Sequence, residues 1–139
     1  MGAKNMDVIQ CTVPGQPVPK ARPRFSSKSG TAYTPKRTKN FETLIKKHIK
    51  PLVKDIFLGP VHVHINVVFK RPKYMQKNIY NEGLILHTKR PDLDNVVKAV
   101  LDALNSVLKD DSQVCKLSAT KYYAEKHCEP RTDITISKL

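Results

Sequence analysis

A chain of 139 residues, 40% of them apolar, is long enough to bury its own core and too rich in Leu, Ile and Val to be disordered. Its 25 Lys and Arg against 12 Asp and Glu leave a formal charge of +13 and a pI of about 9.8, so the expected partner is anionic: nucleic acid first, an anionic membrane surface second. No apolar run approaches the ~18 residues that span a bilayer, and the opening "MGAKNM" lacks both a signal peptide's apolar region and the Ser or Thr of a myristoylation signal, so a cytoplasmic protein is expected.

Residues 6 to 13, "MDVIQCTV", are β-branched and read as a strand. Pro14, Pro17, Pro19 and Pro23 then forbid regular structure, giving a basic loop over about 14 to 34 that carries Lys20, Arg22, Arg24 and Lys28. Phe25 and Tyr33 are interleaved with these cations. A helix is expected next, with Thr34 as N-cap, Pro35 at the first helical position, and Phe41, Leu44, Ile45 and Ile49 as its apolar stripe. Pro51 should end or kink it. Val61, Val63, Ile65, Val67 and Phe69 alternate, which marks a strand with one buried face. His62 and His64 share its other face, where a polar sheet surface is the expected role rather than metal ligation.

A second basic loop, about 70 to 91, shows no periodicity and ends on Lys89 and Arg90. Residues 20 to 50 hold ten Lys or Arg against one Glu, and residues 70 to 90 hold six against one. Such one-signed blocks with aromatics between them suit tracking of a nucleic-acid backbone; Lys20, Arg22, Arg24, Lys36, Arg37, Lys89 and Arg90 are the candidate contacts. A helix over about 92 to 108 follows, then strands near 113 to 124 and 132 to 138. The order β–α–β–α–β–β predicts an α/β fold in which helices cover a small mixed sheet. No repeat or linker divides residues 1 to 139, so one domain is expected. Cys11, Cys115 and Cys128 have no paired spacing; reduced thiols are expected, with Cys11 and Cys115 packed in strands. No Ser or Cys has a recognisable His neighbour, and the tyrosines lie away from the acidic residues in sequence, so no covalent nucleophile is expected.

Five of the eight aspartates, Asp92, Asp94, Asp102, Asp110 and Asp111, fall within twenty residues of this basic chain. Leu93, Val96, Val97, Val100, Leu101, Leu104, Val107 and Leu108 share one helical arc, and Asp94, Lys98, Asp102 and Asn105 share the opposite one. Asp92 could cap the helix, and Asp94, Lys98 and Asp102 could form an i, i+4 ladder worth about 0.2–0.5 kcal/mol per pair. Asp110 and Asp111 would then follow a helix C-terminus, where the macrodipole disfavours them by about 0.3–1 kcal/mol. A divalent cation would compensate. Mg²⁺ or Mn²⁺ takes oxygen ligands, and on a DNA-binding protein its chemistry is phosphodiester hydrolysis, with Lys98 placed to bind phosphate or help deprotonate water.

The segment "RPDLDNVVKAVLDALN…DDSQV", with "GQPVPKARPR" and "YTPK" upstream, resembles the RusA family of Holliday-junction resolvases, endodeoxyribonucleases of bacteria and their phages. The resemblance is tight over residues 90 to 114 and looser elsewhere; between Asp102 and the Asp-Asp pair the chain is short and lacks a glycine. It implies a RusA-like homodimer with about four strands and two main helices. It implies Mg²⁺-dependent resolution of four-way junctions in DNA recombination and repair. It implies Asp92, Asp94 and Asp111 as essential, metal-binding carboxylates and Lys98 as an essential lysine, with Asn95, Asp102 and Asp110 auxiliary. A straight helix from Asp92 to about Leu108 puts Asp111 roughly 25 Å from Asp92 along the axis. Either that helix ends early or Asp111 belongs to the site of a second subunit; the second option predicts composite metal sites in a two-fold dimer. Two alternatives remain: a non-catalytic nucleic-acid-binding protein, and a general metal-dependent nuclease acting on flaps or single strands.

Overall fold

Alternation of β-branched and polar residues builds the sheet that carries everything else. In the computed structural model, which describes residues 7–22 and 24–139 and only the backbone of Arg24, strand β4 (Val61–Phe69) lies at the sheet centre. It pairs antiparallel with β7 (Arg131–Lys138) and parallel with β6 (Val114–Tyr123). The first strand, β1 (Val8–Pro14), extends the sheet beyond β7, with Val8 opposite Ser137 and Cys11 opposite Ile134. Buried residues alternate with exposed ones along β1 and with half-buried ones along β7, and Val61, Val63, Ile65 and Val67 of β4 are fully buried. One face of the sheet is therefore core and the other polar.

The parallel β4–β6 pair requires a crossover, and helix α2 (Leu93–Leu104) lies within it. Helix α1 (Lys36–Ile49) packs on α2 and β1. The core joins Phe41, Ile45 and Ile49 of α1, Val96, Val100 and Leu104 of α2, and the inward side chains of the strands. Two small pairings complete the architecture. β2 (Arg24–Phe25) and β3 (Ala32–Tyr33) form a hairpin, and β5 (Ile85–Leu86) adds to the edge of β6. The two basic segments are thus not wholly irregular, and the main sheet has the order β1-β7-β4-β6-β5, one short strand more than expected.

Several local expectations shift. Pro35, not Thr34, occupies the N-cap of α1: it is extended (φ −54, ψ 144), and its carbonyl accepts the first helical bond from the Lys39 N–H at 3.1 Å. Helix α1 ends at Ile49, just before Pro51, in a 3₁₀ turn over Lys50–Leu52. Cys11 is buried in its strand, but Cys115 lies in β6 with its side chain exposed. Met6 and Pro23, named in the sequence reading, lie outside the described residues.

The largest surprise is the end of α2. The apolar stripe continues through Val107 and Leu108, yet the helix stops at Leu104, six residues before Asp110, and the Asp pair belongs to a separate turn. Val107 and Leu108 are still buried, because Phe57 reaches them: its N–H donates to the Val107 carbonyl at 2.8 Å, and it bridges to Leu108. A non-local partner satisfies the same apolar residues that helical periodicity claimed.

Candidate active site and nucleic-acid surface

Helix α2 starts where β4 and β6 end. Asp92 is its N-cap by backbone (φ −68, ψ 139), but the Asp92 carboxylate makes no capping hydrogen bond. Asp94 sits in the first turn, where the helix dipole favours an anion. Both are exposed, and neither has an ion-pair partner among the described residues. The i, i+4 ladder does not form. Lys98 is exposed and unpaired among the described residues, and Asp102 pairs with Lys20 at 3.0 Å instead.

Lys20 is thereby spoken for. Its ammonium also meets Glu42 of α1 at 2.7 Å; burial opposes its charge, but Glu42 and Asp102 outweigh it and hold its pKa above the usual lysine value. Its role is to tie the first basic loop to both helices, not to offer a free charge. The same loop is fixed by its Lys20 N–H, which donates to the Asn95 carbonyl at 2.8 Å. Thr38, buried in α1, donates to the Pro19 carbonyl at 3.1 Å and accepts from the Ala21 N–H at 3.3 Å.

Asp110 and Asp111 do not stand against a helix C-terminus. They open a 3₁₀ turn, Asp111–Gln113, in which Asp110 is the N-cap. The Asp110 carboxylate accepts from the Ser112 N–H at 2.9 Å, and the Gln113 side chain returns the favour to the Asp110 N–H at 2.7 Å. The Ser112 amide, followed by the neighbouring Asp111 carboxyl, holds Asp110 below the ordinary carboxylate range. Gln113 also donates to the carbonyls of Phe57 and Gly59, both at 2.9 Å, which anchors the turn. Asp110 thus has a structural occupation that leaves Asp111 exposed beside it.

Two cavities flank the acidic helix. The one at its start, about 650 Å³, is shared by Asp92 and Asn95 with Arg37, Lys70, Lys89 and Arg90. It opens at the C-terminal ends of β4 and β6, through Phe69 and Tyr123, which is where parallel strands usually present ligand sites. The second, about 510 Å³, brings Asp111 together with Lys98, Leu101 and Asp102. The early end of α2 lets the chain fold Asp111 back over its own helix. Asp92 and Asp111 line different cavities, and no group of three His, Cys, Asp or Glu poised for a metal occurs among the described residues. The donor chemistry nevertheless fits a hard divalent cation, which needs only one or two carboxylates beside waters and a substrate phosphate.

Lys36, Arg37, Lys89, Arg90 and Arg22 are exposed, as a phosphate-binding surface requires, and the Arg24 side chain lies outside the described residues. Arg71, counted among the basic block, is buried: it donates to the carbonyls of Ala124 (2.7 Å), Met75 (2.9 Å), Asn81 and Gly83 and organises the loop from within. Lys121 of β6 donates to the carbonyls of Lys89 and Pro91 (2.6 Å to the latter), fixing the turn that delivers Asp92. Nothing local in the sequence marks either role, since Arg71 ties its own loop to Ala124 and Lys121 reaches carbonyls some thirty residues earlier.

The polar sheet face contains one arrangement the sequence did not suggest. Ser118 Oγ lies 2.6 Å from His64 Nδ1 and 3.0 Å from His62 Nε2 across the β4–β6 ladder. Both rings compete for one hydroxyl, and neither makes another hydrogen bond among the described residues, so this is a satisfied polar patch rather than an activated nucleophile. Tyr123, too, lies nearer the acidic helix than its sequence position implied.

The family model described as "Endodeoxyribonuclease RusA" matches residues 14–137. A protein of Bacillus subtilis (strain 168), the uncharacterized protein YqaN, is 37% identical over 145 aligned positions, covering 96% of this chain and 99% of its own length. The α/β sheet-and-helix architecture agrees with that match. The chain belongs to the RusA family of metal-dependent endodeoxyribonucleases, which hydrolyse phosphodiester bonds at crossover junctions in DNA.

Proposed function

We propose that this protein is a Mg²⁺-dependent, structure-specific nuclease that resolves Holliday junctions by paired incisions, in cytoplasmic DNA recombination and repair of a bacterium or its phage. The observation that carries this reading is the pair of exposed, unneutralised carboxylates Asp92 and Asp94 beside a cavity rimmed by cations. Both lie at a helix start with no ion-pair partner among the described residues, which leaves their oxygens open to a cation.

In this reading Asp92, Asp94 and Asp111 hold the cation, with Mn²⁺ able to replace Mg²⁺. When bound, the ion supplies a water of lowered pKa and neutralises charge developing on the phosphate. Lys98, one turn beyond Asp94, holds the scissile phosphate or steadies the attacking water. Arg37, Lys89 and Arg90, with Arg22, Arg24 and Lys36, hold the flanking phosphates, so binding follows the shape of the junction more than its sequence. Lys20, Asn95, Asp102 and Asp110 support these groups: Lys20 and Asp102 through their ion pair, Asp110 through its cap.

Pairing of two copies of one domain, residues 1 to 139, fits a substrate that needs two matched cuts. Two features support it. Among the described residues no single chain gathers three carboxylates for a metal, and none forms a strand beside β6 over 114–120 on the side away from β4, where Leu117 is 46% exposed. The early end of α2 removes the argument from helix length, so composite sites rest on these features alone. Sedimentation of a fully active monomer would refute the pairing.

Specificity is checked by offering a four-way junction, a flap and a linear duplex at equal concentration with Mg²⁺. Cutting of the junction at least about tenfold faster than either competitor is expected, a difference of roughly 1.4 kcal/mol in transition-state binding. Equal rates on the flap would favour a general nuclease.

A further inference from the structure

The cavity at the start of α2 is more than a cationic groove. Its floor is aromatic: Phe69, His87 and Tyr123 line it, and all three are less than a tenth exposed. The His87 ring stacks on Tyr123 at 4.0 Å and 10°, and meets Phe69 edge-on at 5.0 Å. Its position is therefore fixed. Nδ1 of His87 accepts the Lys89 N–H at 3.1 Å, which places the proton of the neutral ring on Nε2. Burial, followed by the charge of Lys121, keeps the ring neutral by lowering its pKa to about 4.

Nε2–H has no hydrogen-bond partner among the described residues. Nor is it among the fully buried unpartnered atoms of the described residues, so Nε2 keeps some exposure on a ring that lines the cavity. A phosphate is served by Arg37, Lys70, Lys89 and Arg90 on the rim. Aromatic surface and an oriented N–H below a cationic rim together match a planar heterocycle with an acceptor on its edge and a phosphate attached. About 650 Å³ lies within the range of small-ligand sites.

We propose that this cavity receives a single unstacked nucleobase of the junction strand, with His87 Nε2 donating to the base and the rim cations holding its phosphate. The inference rests on the junction-cleaving reading above. A strand exchanging partners at a crossover loses stacking there at lower cost than within a duplex, so such a base is available without melting a helix. Asp92 lines the same cavity. A captured base would set which phosphate faces Asp92 and Asp94, making His87 a determinant of where the cut falls.

The test uses the Asp94→Asn full-length chain, which should bind without cutting, and junctions carrying 5-iodouracil at the crossover or in an arm. Binding is read by anisotropy, and the photo-cross-link is mapped by mass spectrometry. Cross-linking to Phe69, His87 or Tyr123 from the crossover position, but not from the arm, supports the proposal. A bound junction whose crossover base cross-links only elsewhere overturns it and leaves the junction reading standing; failure to bind the junction overturns both. Adding His87→Leu should lower the crossover cross-link about fivefold, as expected for one lost hydrogen bond, at protein concentrations that saturate the junction. An unchanged yield in a folded His87→Leu protein also overturns the proposal, and should that variant fail to fold, the cross-link map of Asp94→Asn alone decides.

Discussion

Acidifying the protein from pH 7.5 to 5.0 should cost stability through His87. The ring is 7% exposed, and burial, with the nearby Lys121 ammonium as second cause, pushes its pKa down from the ordinary 6.5 to about 4. A histidine depressed in this way binds its proton more readily unfolded than folded. Its contribution is therefore complete above about pH 6.5 and drains as pH falls toward about 4. A gap of about 2.5 units is worth roughly 3 kcal/mol in full, and about 2 kcal/mol of that is gone by pH 5.0. Glu125, held below its usual range by Arg131, and Asp110, held down by the Ser112 amide, keep their contributions down to their ordinary values of 4.5 and 3.8, below the pH 5.0 limit of the comparison. Urea unfolding at pH 7.5 and 5.0, compared between the native chain and His87→Gln, isolates the effect. The native chain should lose about 2 kcal/mol more than the variant over that interval. Equal losses, or an NMR titration of the His87 ring centred near its ordinary value, would refute the reasoning.

Other sites make independent predictions. Arg71→Met leaves four loop carbonyls without their buried donor and should lower unfolding free energy by about 3–5 kcal/mol, measured by urea denaturation. Thr132→Val should be neutral or stabilising by up to about 1 kcal/mol, because the Thr132 hydroxyl is buried without a partner among the described residues. Gln113→Ala removes bonds to Phe57, Gly59 and Asp110; a loss of about 1–2 kcal/mol in thermal or chemical unfolding is expected, together with slower cutting as the Asp111 turn loosens. Junction affinity should fall steeply with salt, and Arg90→Ala should reduce the log–log slope by about 1, since it removes one phosphate contact.

What the sequence disclosed and what it hid follow from the range of the forces involved. Alternation in β4 and the stripe of α1 are local patterns, so the strand and helix were readable with small shifts at their ends. The early end of α2 was not, because Val107 and Leu108 satisfy helical spacing while being buried by Phe57, some fifty residues earlier. The capping role of Asp110 was in plain view: Asp-x-x-Gln over Asp110 to Gln113 is a capping box, and reading it would have separated Asp110 from Asp111 at once. Lys20 carried no mark distinguishing it from the other loop cations; only the fold places Glu42 and Asp102 around it. His87 was likewise hidden, since its partners Phe69, Lys89 and Tyr123 meet only once β5 joins β6.

The most direct trial of the account is a single-turnover assay on a synthetic four-way junction, comparing the native protein with Asp94→Asn in Mg²⁺ and after chelation by EDTA. The account predicts symmetric nicks by the native protein with Mg²⁺, none with EDTA, and a rate lower by at least about a hundredfold for a variant that still binds the junction. Undiminished cutting by Asp94→Asn, or by the native protein in EDTA, would contradict it.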